Sequence, residues 1–336
     1  MSGFQHQTKS GQTKPSVEPA PEARGAASKT LGAMGFQAGA EAVKPKAAAP
    51  ASDHTGDPVQ DVTPKKVEEA PVLVEDPALR EKHRDGSMEY KRYEGDLFVN
   101  GVSAEDVEQG SIADCYLVAA LSATAKAHPD LITNGVKPAG KGAFEVRFFE
   151  RDYSGKYKEV WIKVDADLAT AKGGSRPAYA RSTEKNERGM ELWPAIYEKA
   201  YAVWKKGYDK MGEGGSSQAA LEALVGNRVQ ATTLSYTPED QIWKKLQAAT
   251  KDGKMVKAGS AGTHGKEQEG IYKDTNLYAW HAYTIMGIEE KDGQRFVILR
   301  NPWGRTEPGN DGKDDGIFKL TIADFVKYYS NMNLEL

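Results

Sequence analysis

The sequence predicts an α+β protein that follows a long N-terminal segment without regular structure. Composition changes at Met88, where aromatic residues and glycine-bounded apolar runs begin. Apolar periodicity predicts an alanine-rich helix over about 115–126 and an amphipathic helix over 191–206. Alternating apolar and polar residues predict strands at 143–149, 158–165, 280–288 and 295–301. Helices and antiparallel hairpins therefore share one chain, as in the α+β class.

Residues 1–84 are predicted to be a disordered tail rich in proline and alanine. Nine of the 16 prolines lie in this segment, which has no Trp and no Tyr. Such a segment cannot bury enough apolar surface to offset its conformational entropy.

Between the tail and residue 235, each element has its own local signal. Leu97–Val99 is predicted to be a short strand or an extended entry segment, and Asp152–Gly155 is predicted to connect the first hairpin. Gly212–Gly215 predicts a loop, after which Ser216 is expected to cap a helix that stops at Gly226.

The last hundred residues are predicted to be mainly β-structure. A helix starts at Pro238, Lys254–Gly259 is a candidate strand, and Ser260–Asn276 is predicted to be a surface loop because it is polar and contains glycine. The hairpin of 280–301 turns at Lys291–Gly293. The remaining expectations are a strand at 316–321 and a closing helix at 321–329.

Composition excludes several functional classes. The net charge of −3 gives no sign of nucleic-acid or membrane binding, and no run of 18 apolar residues is present. A single cysteine excludes an internal disulfide and a thiolate-rich zinc site. The N-terminus lacks the apolar core of a secretory signal, so we expect a cytoplasmic protein, with signal-less export left open. We also expect a monomer.

The single cysteine, Cys115, lies where a polar turn meets the alanine-rich helix. Asp114 is a good N-cap residue, so the thiol is predicted to lie in the first helical turn. Free N–H groups and the positive end of the helix dipole there stabilise a thiolate, which is the nucleophilic form. The alternative is a buried cysteine that acts as a small apolar side chain.

A second pair of polar residues is predicted from hairpin geometry. The midpoint of His281 and Asn301 is residue 291, inside the predicted turn, so the two residues should lie opposite or diagonal to each other. An asparagine carbonyl can fix the tautomer and orientation of an imidazole, which leaves the other ring nitrogen free. The alternative is a polar pair at a sheet rim. His264 competes as a base but has no asparagine on a paired strand.

Together these residues form a pattern of nucleophile, base and orienting residue, in the chain order Cys, His, Asn. Several ordered motifs resemble the calpain protease core. The Gln109–Leu121 block resembles its cysteine block, apart from Ala113 and Tyr116, which replace a family glycine and tryptophan. The other similar segments are 192–201, 214–222, 281–290, 300–304 and 315–330.

The resemblance implies a papain-like core of two subdomains across a cleft. The helical one would span 85–235 and carry Cys115, and the sheet-rich one would span 236–336 and carry His281 and Asn301. It implies a cysteine endopeptidase that acts on protein or peptide substrates through an acyl-enzyme. Gln109 would contribute to the oxyanion hole, and Trp303 would shield the His–Asn bond, although Trp303 could equally be a packed aromatic residue.

The resemblance also implies a calcium cofactor, because calpain cores are calcium-gated and hard cations prefer oxygen ligands. The residues at the corresponding positions form a first set, Val99, Gly101, Asp106 and Asp209, and a second set, Glu307, Asp311, Asp314 and Asp315. The alternative is that these residues belong to solvated loops.

Two other functions remain open at this point. One is a binding module that keeps the calpain fold without turnover. The other is a transglutaminase-like acyl transferase, although that class typically orients its histidine with Asp rather than Asn.

Overall fold

A computed structural model of the protein describes residues 74–83, 85–309 and 311–336. Most of the predicted tail therefore lies outside the described residues. Residues 74–83, which were predicted to belong to that tail, instead contact the folded part of the chain. The ammonium group of Lys199, fully buried, binds Asp76 at 2.5 Å, and the hydroxyl of Tyr90 donates to the carbonyl of Pro77. Contacts with the fold therefore begin before the predicted boundary at residue 85.

The helices predicted from the sequence lie close to their predicted positions, and two short helices, α2 and α4, were not predicted. They are α1 (Cys115–Ala127), α2 (Pro129–Thr133), α3 (Trp193–Trp204), α4 (Tyr208–Met211), α5 (Ser217–Val225), α6 (Glu239–Ala248) and α7 (Ile322–Tyr328), with 3₁₀ turns at Glu81–His83, Leu234–Tyr236 and Lys266–Tyr272. As predicted, the Ser216 hydroxyl caps α5 by accepting the Ala219 N–H at 3.2 Å.

The strands are more numerous than predicted. They are β1 (Met88–Arg92), β2 (Val136–Pro138), β3 (Ala143–Arg151), β4 (Tyr157–Asp165), β5 (Asp167–Ala171), β6 (Lys185–Asn186), β7 (Gly189–Met190), β8 (Val229–Thr233), β9 (Thr250–Lys251), β10 (Lys254–Met255), β11 (Gly259–Thr263), β12 (Ala282–Lys291), β13 (Gln294–Arg300), β14 (Ile317–Thr321) and β15 (Tyr329–Glu335).

Helix α1 is the centre of the first hydrophobic core. Residues 116–125 of this helix are buried because nearly all of them are alanine or other apolar residues, which pack on every side. Strands β3 and β4 form the predicted hairpin and pack against α3. This core extends from Tyr93 to Val229, and Ala258 and Ala282 of the later chain also belong to it.

The second core lies against an antiparallel sheet whose main strand order is β14-β13-β12-β11-β15-β8. Its buried residues run from Leu234 to Leu334. Helix α1 packs on β11 and β12 of this sheet, so the helix that begins with Cys115 contacts the strand that follows His281.

Of its two predicted forms, a short strand or an extended entry segment, Leu97–Val99 does not adopt the strand; its segment instead supplies carbonyls that accept the N–H groups at the start of α3. Another local prediction was wrong. The predicted loop at Ser260 begins with a buried strand, β11, made of small residues. A Cβ atom on Gly259 would lie 2.8 Å from Leu334, so small side chains there permit close packing.

Within the described residues, no helix is long and apolar enough to cross a membrane.

Candidate active site

Cys115 is the first residue of α1 and is partly exposed. The predicted cap is different in the structure, because the Asp114 side chain makes no capping hydrogen bond. Its backbone carbonyl accepts the N–H groups of Leu117 and Val118 at 2.8 and 3.1 Å. The first turn thus forms as expected, while the Asp114 carboxyl group has other partners.

The predicted lowering of the cysteine pKa does not occur in this arrangement. Desolvation by the surrounding protein and, to a smaller extent, the Asp114 carboxylate raise the pKa of the Cys115 thiol to about 11. The backbone N–H groups of Ala282, Tyr116 and Cys115 act in the opposite direction, as predicted for a helix start. Loss of water outweighs these dipoles, so the thiol is neutral at pH 7.

His281 and Asn301 lie at the open end of the β12–β13 hairpin. The ring nitrogen Nε2 of His281 lies 3.0 Å from Oδ1 of Asn301. A bulge near Met286 shifts the register, and Thr284 pairs with Arg300. Extending that register by one residue places Tyr283 opposite Asn301. His281 is therefore diagonal to Asn301, one of the two arrangements expected from the sequence.

The partners of Asn301 fix its amide orientation. Its Nδ2 donates to the carbonyl of Thr306 at 2.8 Å, and its Oδ1 accepts the N–H of Trp303 at 3.2 Å. The amide oxygen must therefore face His281, which donates from Nε2. This arrangement leaves the lone pair of the neutral imidazole on Nδ1.

Aromatic side chains surround the His281 ring. The ring of Trp303 is tilted over it at a centroid distance of 4.7 Å, and that of Tyr283 meets it edge-on at 4.9 Å. Tyr278 lies further out at 6.3 Å. Burial lowers the pKa of His281 to about 4, although the bond to Asn301 acts to raise it. Trp303 is therefore in the position from which it would exclude water from the His–Asn bond.

The thiol of Cys115 lies beside the start of β12. The Cys115 sulfur faces the N–H of Ala282, the residue that follows His281. In the described part of the chain, no hydrogen bond joins the sulfur to the His281 ring. The nucleophile and the base expected from the residue pattern are therefore not bonded to each other in this arrangement.

Hydrogen bonds connect the segment around Cys115 with the strands that carry His281 and Asn301. Gln109 N–H donates to the carbonyl of Pro302 at 2.8 Å, next to Asn301. The buried Arg300 guanidinium donates to the carbonyl of Val107 at 2.9 Å. The Thr284 hydroxyl donates to the carbonyl of Ala119 in α1 at 3.0 Å. The residues before Cys115 and the residues around Asn301 therefore form one connected site.

The side chain of Gln109 has both amide hydrogens engaged. Its Nε2 donates to the carbonyl of Ile112 at 2.7 Å and to Oδ1 of Asp114 at 3.1 Å. Its own Oε1 is buried with no hydrogen-bond partner among the residues that the structure describes. To serve as an oxyanion donor, as the resemblance implies, Gln109 would have to exchange one of these bonds for a substrate oxygen.

The sequence family described as "calpain family cysteine protease" matches residues 80–311. This match covers more than half of the chain. The chain belongs to the calpain family.

Individual calpains agree with this assignment. Calpain-8 of Rattus norvegicus is 26% identical over 270 residues, which cover 71% of this chain and 36% of that protein. A calpain-type cysteine protease of Oryza sativa subsp. japonica is 30% identical over 218 residues, which cover 62% of this chain and 9% of that protein. The chain thus spans about a third or less of the length of these calpains.

One solved structure, an NlpC/P60 endopeptidase from Photobacterium damselae subsp. piscicida, has a TM-score of 0.19 and 13% identity. It covers 59% of this chain and 47% of its own. No conclusion is drawn from so low a score.

In the first set of calpain calcium positions, the two aspartates accept hydrogen bonds from protein groups. Both carboxylate oxygens of Asp106 accept from Ser103, at 2.7 and 2.8 Å. Asp209 accepts the N–H of Glu81 at 2.7 Å. Val99 is buried, and Gly101 has a φ of +100°. An oxygen that accepts one hydrogen bond keeps a second lone pair, so calcium binding by this set stays a prediction.

The second set contains carboxylates of the kind that bind calcium, but they do not form a closed site. One oxygen of Glu307 accepts the N–H of Gly316, and Oε1 is buried without a hydrogen-bond partner in the described part of the chain. Burial, followed by the negative charges of Asp315, Asp314 and Asp311, raises the pKa of Glu307. Among the described residues, no three acidic, His or Cys side chains converge as metal ligands. An unpaired carboxylate oxygen beside further acids is a donor set that suits a hard cation.

One pair of site residues was missed in the sequence. Glu198 and Lys199 are the only charged residues of α3, and both are buried. The sequence signal that could have indicated them is the pair of adjacent charged residues in an otherwise apolar helix. Such charges are buried and therefore need partners of opposite charge or hydrogen-bond partners. Lys199 binds Asp76 and Asp165, whereas Glu198 lies beside Asp114, the residue before the nucleophile.

Proposed function

We propose that this calpain-family protein is a cysteine endopeptidase in which Cys115 is the nucleophile, His281 the base and Asn301 the orienting residue. The observation that supports the proposal is the position of the thiol. It lies at the start of α1 and faces the backbone N–H next to an imidazole whose orientation Asn301 fixes. The three residue types and their order suit acyl transfer through a thioester.

In the proposed reaction, Nδ1 of His281 accepts the proton of the Cys115 thiol as sulfur attacks the scissile carbonyl carbon. The resulting imidazolium then donates that proton to the leaving amine, and the peptide C–N bond breaks. A water molecule, deprotonated by the same imidazole, hydrolyses the thioester and regenerates the thiol. Nε2–H remains bonded to Asn301 Oδ1 throughout, which preserves the ring orientation.

The negative oxygen of the intermediate needs hydrogen-bond donors. The backbone N–H of Cys115 lies in the first turn of α1, where such groups have no partner within the helix. Gln109 is the proposed second donor after it releases Asp114 or Ile112. Each donor of this kind contributes roughly 3 kcal/mol to transition-state stabilisation.

Because the thiol and imidazole are both neutral and not bonded, the described arrangement corresponds to a resting form. We propose that the two regions 85–235 and 236–336 act as papain-like subdomains. Most of the first hydrophobic core lies in the first region and most of the second core in the second, although Ala258 and Ala282 join the first core and Leu234 joins the second. In this proposal, a relative shift of the two regions brings Nδ1 of His281 to the sulfur. Trp303 would then cover the His–Asn bond on the side of the solvent.

Calcium is the proposed trigger of that shift. Glu307 would hold the ion together with Asp311, Asp314 and Asp315, and the bound ion would neutralise their mutual repulsion. Thr306, whose carbonyl accepts from Asn301, directly precedes Glu307. An ion that fixes the position of Glu307 would therefore also fix Thr306 and, through its carbonyl, the amide of Asn301.

A catalytically silent calpain-fold module is the second candidate. Two observations favour it. The pKa of the Cys115 thiol is raised, and within the described residues no hydrogen bond joins Cys115 to His281. The transglutaminase-like alternative has no such support, because His281 is oriented by an amide rather than by a carboxylate.

Hydrolysis of casein, titrated with calcium against a chelator, tests the proposal. Protein substrates should be cleaved by the wild-type chain, and an epoxide that alkylates active-site thiols should abolish cleavage and label Cys115. A chain that neither cleaves nor reacts with the epoxide at any calcium concentration would contradict the proposed function and support the silent module.

A further inference from the structure

Two carboxyl groups meet in the interior beneath the nucleophile. Asp114, on the turn before α1, is 0% exposed, and Glu198, in the middle of α3, is 1% exposed. Their side chains lie within hydrogen-bonding reach of each other. Two ionised carboxylates repel and neither can donate, so a hydrogen bond between them requires one proton.

The remaining contacts of the pair agree with a shared proton. Asp114 Oδ1 accepts from Gln109 at 3.1 Å, and Glu198 Oε1 accepts the N–H of Ala180 at 2.9 Å. Asp114 Oδ2 is buried with no N–H donor in the described structure. A proton between this oxygen and Glu198 satisfies an atom that would otherwise be costly to bury.

The pair also connects the two backbone segments that shape the turn before Cys115. The first segment, residues 108–111, contains Gln109. The second segment, residues 178–181, contains Ala180. The segments are fastened by the reciprocal bonds of Glu108 and Arg181, and Ser111 N–H donates to Ala178 at 2.9 Å. They lie so close that a Cβ atom on Gly110 would be 2.2 Å from the Ala178 oxygen.

We propose that Asp114 and Glu198 share one proton, and that this buried pair is the positioning element that holds Gln109 and the turn before Cys115. The inference rests on the proposed function for its kinetic part only. Neither residue touches substrate in this view. Both act through Gln109, whose amide they hold beside the nucleophile until a substrate oxygen takes the place of one of its acceptors.

The charge of the pair has little compensation nearby. The other titratable groups that act on it come from four parts of the fold. They are Cys115 and Tyr116 on α1, Tyr90 on β1, Tyr208 on α4, and Tyr179 and Arg181 in the segment 178–181. The Arg181 guanidinium is bonded to Glu108 and to the Tyr179 carbonyl. Burial accordingly raises the pKa of both carboxyl groups, which favours retention of one proton at neutral pH.

The test begins with infrared spectra of the whole protein at neutral pH, which need no activity. The C=O stretch of protonated carboxylic acids should be weaker in Glu198→Gln than in the wild type, because glutamine then donates to an ionised Asp114. Part of the band should remain in both proteins, since burial raises the pKa of Glu191 to about 7. The matched control is Asp165→Asn, which alters a buried carboxylate bound to the neighbouring Lys199 and should leave the band unchanged. A band of unchanged intensity in Glu198→Gln overturns the shared proton.

Kinetics then test the positioning role. Glu198→Ala should lower kcat by about 10–100-fold with little change in KM, since small misplacement of a reacting group has effects of this size. Glu198→Gln should retain kcat within a few fold, and Asp165→Asn should lower stability but not kcat. Equal loss of kcat in folded Glu198→Ala and Glu198→Gln would overturn the role. Should the wild type show no hydrolysis, the proposed function fails, and the spectra alone decide the inference.

Discussion

The amide oxygen of Asn301 accepts a 3.0 Å hydrogen bond from Nε2 of His281, and both side chains are buried. The amide cannot rotate without loss of its bonds to Thr306 and Trp303. This bond therefore determines which ring nitrogen faces the cleft, and the predictions below start from it.

Replacement of Asn301 by alanine removes the acceptor of His281. We expect kcat to fall by about 10²–10⁴-fold with a small change in KM, because only the reacting orientation of the ring is lost. The control is Asn333→Ala, which removes another buried asparagine, on β15, and should affect stability alone. A kcat within twofold of wild type in folded Asn301→Ala would contradict the orienting role.

Replacement of Cys115 by alanine should reduce casein cleavage to background, a loss of about 10⁴-fold or more, because the nucleophile is absent. Folding should persist, since the side chain is small and partly exposed. Circular dichroism and Tm check the fold. Lys126→Ala, at the other end of α1, serves as the control and should cleave normally. Full activity of Cys115→Ala would exclude this thiol as the nucleophile.

Alkylation of Cys115 should be slow at neutral pH in the absence of calcium. Desolvation raises the thiol pKa to about 11, so the rate with iodoacetamide should still rise from pH 7 to pH 10 without a plateau. The chain unfolded in urea provides the reference and should level off above an ordinary cysteine pKa of about 8.5. A plateau below pH 7 in the folded chain would instead indicate a preformed thiolate–imidazolium pair.

His281 should make the fold less stable in acid. Its folded pKa of about 4 lies below the unfolded value of about 6.5, so its contribution to stability is present above the higher value and is lost as pH falls through the lower one. The full contribution is about 3 kcal/mol. We expect the difference in unfolding free energy between wild type and His281→Gln to decrease by that amount over this window, measured by urea titration.

The control for this measurement is His128→Gln. Its hydrogen bond to Glu335 raises the pKa of His128, so its contribution is present below the unfolded pKa and is lost as pH rises. The change between pH 6.5 and 4 should therefore remain in His128→Gln. If it also remains in His281→Gln, another group is responsible.

Calcium should raise the Tm of the wild-type chain, because an ion that binds only the folded state stabilises it by about 2.7 kcal/mol at a hundred times its Kd. Glu307→Gln should reduce this shift, since the buried unpaired Oε1 loses its charge. The exposed Glu269→Gln is the control, and differential scanning fluorimetry gives the values. Equal shifts in all three proteins would place the ion elsewhere, and the lack of any shift would contradict calcium binding.

The sequence by itself determined the longer helices, the two long hairpins and the family. Helices α1 and α3 follow from local periodicity, and the closeness of His281 and Asn301 follows from a turn only two residues long. These features depend on contacts near in sequence, which a pattern of residue types records directly.

Only the tertiary structure determined β11, β15 and the protonation of the site. Strand β11 consists of small polar and apolar residues, and its pairing with β15 joins segments about seventy residues apart. The pKa values of Cys115 and His281 were set by burial, which the sequence does not record. The contact between Glu198 and Asp114 was not predictable either, because the packing of α3 against the turn before α1 decides which side chains face each other. At Cys115, desolvation by that packing raises the thiol pKa by more than the dipole of α1 lowers it.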